Sequence, residues 1–200
     1  MRTEVPILTT GEYVKEWENV LKNLDLHEIN RIIEMLLRAY KNDNSVFILG
    51  NGGSASTASH FACDLGKGTL GDHYNLSKKR FRVHSLTDNM ATITAYANDL
   101  GFEEIFVQQL KNLIKDGDVV IAITGSGNSE NVVRAIRLAN SHKAITVGFL
   151  GFDGGKLANM LDYKIIIGSE NYGIIEDAHD MLHHMMYTVL KERIKDYPND

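Results

Sequence analysis

Two hundred residues, 44% hydrophobic and 24% charged, fit one globular domain with room for a sizeable core. The formal charge of −5 argues against a general nucleic-acid binder, which would carry a basic face. The single cysteine, Cys63, excludes an internal disulfide and fits a reducing cytoplasm. No apolar run approaches the ~20 residues that span a bilayer, and the first residues show no secretory pattern.

The first ten residues read as irregular. Residues 11–42 then read as helical: Val14, Trp17, Val20, Leu21 and Leu24 recur at helical spacing, as do Ile29, Ile32, Ile33, Leu36, Leu37 and Tyr40. Short runs rich in Val, Ile and Phe follow at 45–50, 81–86, 118–123, 144–150 and 163–167, the signature of strands buried in a parallel sheet. Helical segments are expected between them at about 54–66, 88–114, 128–141 and 154–161, with a last helix over 174–195. Residues 72–80 read as a polar loop. This alternation predicts an α/β fold, a doubly wound, flavodoxin-like five-stranded parallel sheet preceded by N-terminal helices. In the strand order 2-1-3-4-5, the loops after strands 1 and 3 meet at one crevice.

Those two loops are the chain's chemical signature. Gly50-Asn51-Gly52-Gly53-Ser54 follows strand 1, and Thr124-Gly125-Ser126-Gly127-Asn128-Ser129 follows strand 3. Glycine permits a tight turn and close backbone approach, a helix start offers N–H groups to an anion, and Ser and Thr add hydroxyl donors. The pair points to a phosphorylated small molecule. Gly50, Gly52 and Ala55 also satisfy the loose dinucleotide pattern, but Asp72 and Asp88 are poorly placed for a ribose and the second loop is left unexplained. A phosphate-loop NTPase run is absent.

His60 and Asp64 share a helical face four residues apart. On the last helix, Glu176, Asp180 and His184 form one gradually turning stripe, and His179 and His183 a competing pair beside it. Such groups could serve as acid and base or bind zinc; spacing alone does not choose among the three histidines.

Gly50-Asn51-Gly52-Gly53-Ser54 followed by His60-Phe61-Ala62 resembles the bacterial sedoheptulose-7-phosphate (phosphoheptose) isomerases of the sugar-isomerase (SIS) superfamily. The likeness continues through Asn98-Asp99-Leu100-Gly101-Phe102, Ser126-Gly127-Asn128-Ser129 and Asp153-Gly154-Gly155-Lys156 to His179 and His184, nearly the whole chain after the first ten residues. The resemblance implies a single SIS domain over 1–200. Residues 1–42 would be a helical oligomerisation segment, with packing onto the same subunit as the alternative, and 43–200 the α/β core. It implies an aldose–ketose isomerase turning sedoheptulose 7-phosphate into D-glycero-D-manno-heptose 7-phosphate through an enediol(ate), on the way to the heptose of lipopolysaccharide or capsule. It further implies a cytoplasmic homotetramer with sites at subunit interfaces, free of nucleic acid and membrane. Carried over by position, Asp64 and His184 are catalytic. Asn51, Gly52, Gly53, Ser54, Asp99, Thr124, Ser126, Ser129 and Glu176 bind the sugar phosphate. His60, Asp64, Glu176 and His184 hold one zinc ion. The chain departs from the family pattern: Asp64 stands for Glu, Glu176 for Gln, Thr124-Gly125 for Ser-Thr, and Gly68 and Gly173 replace a sugar-binding Arg and Asp, with Lys67 as a partial substitute. These departures keep two alternatives in view, a non-catalytic adaptor for a replication initiator and a sugar-phosphate sensor.

Overall fold

A computed structural model describes residue 7 and residues 9–195. Most of the stretch expected to be irregular at the N-terminus therefore lies outside the described residues. Two helices come first, α1 (Thr10–Lys22) and α2 (Leu26–Lys41). Thr9 and Glu12 form a reciprocal cap at the start of α1, and Asp25 caps α2, so the segment breaks at residues 23–25 rather than running through. The strands are β1 (Ser45–Gly50), β2 (Arg82–Ser85), β3 (Val119–Thr124), β4 (Ile145–Gly151) and β5 (Tyr163–Ile167). They form one parallel sheet in the order β2-β1-β3-β4-β5, as the alternating pattern predicts.

Successive strand side chains enter opposite layers. Val46 and Ile48 pack with α2 and the last helix, α7 (Tyr172–Ile194), while Phe47 and Leu49 face the layer built by α5 (Ile105–Leu113) and α6 (Glu130–Ser141). β1 and β3 are buried at every residue, which is why they read as unbroken apolar runs.

Two expected helices are interrupted. The segment expected over 88–114 divides into α4 (Met90–Asp99), a short 3-10 turn over Phe102–Glu104, and α5. Gly101, at φ 112, turns the chain there, and its N–H returns to Tyr96 and Ala97 carbonyls. The helix after the first glycine loop, α3 (Gly53–Cys63), widens into a π-turn over Asp64–Gly68. The expected 154–161 helix is a 3-10 segment over Gly155–Asn159. Residues 70–81 form neither helix nor strand.

Candidate active site

Four helices have side-chain caps at their starts: Thr9, Asp25, Asn89 and Asn171 accept from first-turn N–H groups of α1, α2, α4 and α7. The two helices that follow the glycine-serine loops do not. α3 begins at Gly52, whose φ of 57 favours glycine, and α6 begins at Ser129, whose hydroxyl makes no cap bond. The Ala55 N–H turns back to the Gly52 carbonyl and the Val132 N–H to Asn131 Oδ1, while the donors ahead of them at each start take no side-chain cap and suit an anion. The loops are tied together: Asn51 and Asn131 exchange two amide hydrogen bonds of 2.9 Å each. A third turn, after β4, braces the second loop. Asn128 Oδ1 accepts from the Lys156 N–H at 3.1 Å, and the Gly127 carbonyl accepts from Leu157. A Cβ at Gly127, whose φ is 62, would lie 1.9 Å from the Gly154 carbonyl oxygen.

Along the sheet face, α3 and α7 run side by side in the same direction. Glu176 lies against Gly53, Asp180 accepts from the Thr57 hydroxyl at 2.7 Å, the His184 ring stands 4.9 Å from His60, and Tyr187 lies against Gly68. The stripe of Glu176, Asp180 and His184 thus faces α3, as the spacing suggests. At its lower end Asp64 Oδ2 lies 3.7 Å from His60 Nε2, 3.3 Å from His183 Nδ1 and 3.7 Å from His184 Nε2. Ligand nitrogens of His60, His183 and His184 all fall within 4.8 Å of one another. Asp64 Oδ2 and both His183 nitrogens are buried without a hydrogen-bond partner. His60 and His184 remain about half exposed, and His184 opens onto a groove of about 700 Å3 lined also by Trp17, Asp177, Asp180 and Met181.

The electrostatics sort the titratable groups. Burial pushes the His183 imidazole down, with the neighbouring His184 and His60 adding to the effect. Burial alone drives His179 down to about 4; its Nε2–H donates to the Leu150 carbonyl at 3.2 Å, well away from the cluster. Burial, with Asp180 and Asp177 nearby, raises the Glu176 carboxyl above the ordinary range.

The structure brings together His60, Asp64 and His184 of the expected site, and separately Asn51, Gly52, Gly53, Ser54, Thr124, Ser126 and Ser129 at the crevice. Glu176 stands at the loop end, against Gly53, about two helical turns from His184. Asp99 is exposed at the far end of α4, where Asn98 donates to it at 2.8 Å. His183 was not among the expected ligands. Its signal was its position on the apolar stripe of α7 with Leu182, Met186 and Leu190, where a polar side chain needs a reason to be buried. On the first helix Val20 is buried and Tyr13, Trp17 and Leu24 pack on the chain's own core, while Val14 and Leu21 are exposed. The Tyr13 hydroxyl donates to Asp177 at 2.5 Å, and burial with this carboxylate pushes its pKa up to about 12.

Comparison with known proteins agrees with this geometry. Residues 12–151 match the SIS domain family. The chain is 34% identical over 178 residues to the phosphoheptose isomerase of Clostridium acetobutylicum, covering 88% of both chains. It is 36% identical over 167 residues to that of Aquifex aeolicus, covering 84% of this chain and 85% of the relative. Its fold superposes on phosphoheptose isomerase GmhA from Neisseria gonorrhoeae with a TM-score of 0.82 at 29% identity, over 91% of this chain and 94% of that one. These likenesses favour an enzyme over the adaptor and sensor alternatives. With uncapped helix starts at the crevice and acid–base groups lining the helix pair beside it, the chain belongs to the phosphoheptose isomerase family of SIS-domain isomerases.

Proposed function

We propose that the chain interconverts sedoheptulose 7-phosphate and D-glycero-D-manno-heptose 7-phosphate, supplying heptose for lipopolysaccharide or capsule. One observation carries the reading: two helix starts without side-chain caps, tied by the Asn51–Asn131 pair, stand at one end of a helix pair that bears Asp64, His60 and His184 further along. Loop N–H groups with Ser54, Thr124, Ser126 and Ser129 hold the phosphate. A rise of about 1.5 Å per residue puts His60 roughly 9 Å and Asp64 roughly 15 Å down α3 from Ser54, the direction in which the sugar chain extends from the phosphate. Asp64 takes the proton from the carbon beside the carbonyl, giving a cis-enediol(ate), and His184 moves protons between the oxygens or returns one to carbon. Glu176, beside the loop, contacts the sugar, and Asp99, exposed at the far end of α4, contributes across a subunit interface.

The unpartnered Asp64 Oδ2 and the surrounding imidazoles fit a metal ion held by His60, Asp64 and His184. Zinc, when bound, supplies Lewis-acid stabilisation of the developing oxyanion. The chain acts as a single SIS domain, residues 1–42 assembling a cytoplasmic homotetramer around the 43–200 core. Exposed Val14 and Leu21, and an α4 with no buried residue beside exposed Met90, Leu100 and Phe102, are surfaces that assembly would cover.

The test is to incubate purified protein with sedoheptulose 7-phosphate, with and without zinc, and follow products by NMR. Silence toward this sugar removes the substrate assignment; silence across sugar phosphates removes the reaction.

A further inference from the structure

Family resemblance assigns the metal to His60, Asp64, Glu176 and His184, but the side chains are arranged otherwise. Zinc–ligand bonds of about 2.0–2.1 Å, set tetrahedrally, separate the ligand atoms by about 3.4 Å. Asp64 Oδ2 lies 3.3–3.7 Å from three imidazole nitrogens, one each from His60, His183 and His184, so the three carboxylate–imidazole separations stand close to that spacing, and nitrogens of the three rings lie within 4.8 Å of one another. Glu176 turns its carboxylate toward Gly53 instead, about two helical turns from His184.

His183 is the most informative member. Its side chain is 0% exposed and neither ring nitrogen has a hydrogen-bond partner. Phe61 stacks on one side of the ring, at 5.4 Å between centroids, which fixes its plane. Nδ1 faces Asp64, while Nε2 faces Asp180 Oδ1 at 3.5 Å, and the Thr57 hydroxyl holds that carboxylate at 2.7 Å. A carboxylate behind the second nitrogen is the usual partner of a ligating imidazole, fixing its tautomer and raising its basicity.

We propose that His183 is a metal ligand in this chain, completing a three-histidine, one-aspartate set with His60, His184 and Asp64. Asp180, positioned by Thr57, orients it, and Glu176 stays outside the set. The proposal rests on the metal-dependent isomerase reading for the ion's presence, yet it concerns which atoms hold the ion. It accounts for two departures from the family pattern together. The shorter Asp64 is met by an added imidazole, and the charged Glu176 stays at the loop end, against Gly53.

The experiment uses the full chain, stripped with chelator and titrated with cobalt(II). Affinity is read by calorimetry and ligand geometry by the visible absorption of the bound ion. His183→Asn should weaken binding by at least 100-fold and change the spectrum. Asp180→Asn, at an exposed carboxylate, should weaken it about 10-fold with its thermal unfolding unchanged, which keeps the test informative if His183→Asn folds poorly. Glu176→Ala should bind cobalt as the wild type does. Wild-type affinity in His183→Asn and Asp180→Asn, or loss in Glu176→Ala with an altered spectrum, overturns the ligand assignment. So does a wild-type chain that takes up no cobalt. Turnover of sedoheptulose 7-phosphate, measured on the same wild-type preparation, reports separately on the isomerase reading.

Discussion

His179 offers a stability test that depends on neither substrate nor metal. Its ring is buried, one nitrogen bound to the Leu150 carbonyl and the other without a partner, and its pKa falls to about 4. An unfolded histidine titrates near 6.5. The folded value is the lower one, so below pH 6.5 the unfolded chain binds the extra proton and stability falls with pH. The loss begins as pH drops through about 6.5 and is complete below about 4, where it totals roughly 3 kcal/mol at 1.36 kcal/mol per pKa unit. By pH 5 about 2 kcal/mol is already gone, a large part of the roughly 5–15 kcal/mol of a typical domain. The perturbation is His179→Leu, which keeps the site apolar and removes the titration. It leaves the Leu150 carbonyl unpaired at about 1–3 kcal/mol, so the neutral-pH difference is set by packing and carries no information here. The pH dependence of the difference does. Urea unfolding of both proteins from pH 7.5 to 5, at one protein concentration and with chelator present, should show the wild type losing about 2 kcal/mol more than the variant. His183 is also pushed down by burial, but it titrates in both proteins and largely cancels. Parallel stability profiles would refute the assignment of His179 as a buried neutral imidazole.

Other outcomes follow from the same geometry. Replacing an N-cap serine by alanine usually costs about 1 kcal/mol, but Ser129 makes no cap bond. Ser129→Ala should leave the urea midpoint unchanged and raise KM for the sugar phosphate several-fold; a clear stability loss would show that the hydroxyl serves the helix instead. Asn131→Ala breaks the amide pair between the loops and leaves Asn51 unpartnered, so inhibition by inorganic phosphate should weaken along with a destabilisation of about 1–3 kcal/mol. His184→Gln should lower kcat by about 10²–10⁴-fold with little effect on Tm, read by NMR turnover and calorimetric melting.

Periodicity reveals the sheet because β1, β3 and nearly all of β4 are buried on both faces, and the observed boundaries of all five strands fall within one residue of the expected ones, even at the exposed edge strand β2. The loop sequences likewise expose their own chemistry, since a glycine at φ 57 and an uncapped serine need no distant partner to be recognised. What stayed hidden depends on packing between elements. Spacing groups His179 with His183, yet His179 turns to a carbonyl of β4 and His183 meets α3, because the direction in which α7 crosses the sheet separates them. The π-turn at Asp64 is equally silent in periodicity. Its only sign is the pair Gly66 and Gly68: a Cβ at Gly66 would come within 3.2 Å of Val83, and one at Gly68 within 3.4 Å of Tyr187. Wide turns of this kind inside helices recur at functional sites, and this one begins at the proposed base.

Asp64 and His183 should also prove interdependent. Where family members carry glutamate, this chain has a carboxylate one methylene shorter, and its Oδ2 sits within 3.3 Å of the His183 ring nitrogen. Lengthening it by Asp64→Glu drives the carboxylate into a space that three imidazoles already fill, so metal affinity and kcat/KM should both fall. His183→Asn removes a ligand and should also lower both. In the double variant the glutamate gains the room the imidazole vacated, and the site approaches the family's arrangement. Its loss should be smaller than the sum of the single losses, by a coupling of about 0.5–3 kcal/mol, the range for residues in contact. Cobalt affinity and kcat/KM of the four proteins measure that coupling directly. Strict additivity in both would mean that the two side chains do not share an ion, and the three-histidine site would fall with it.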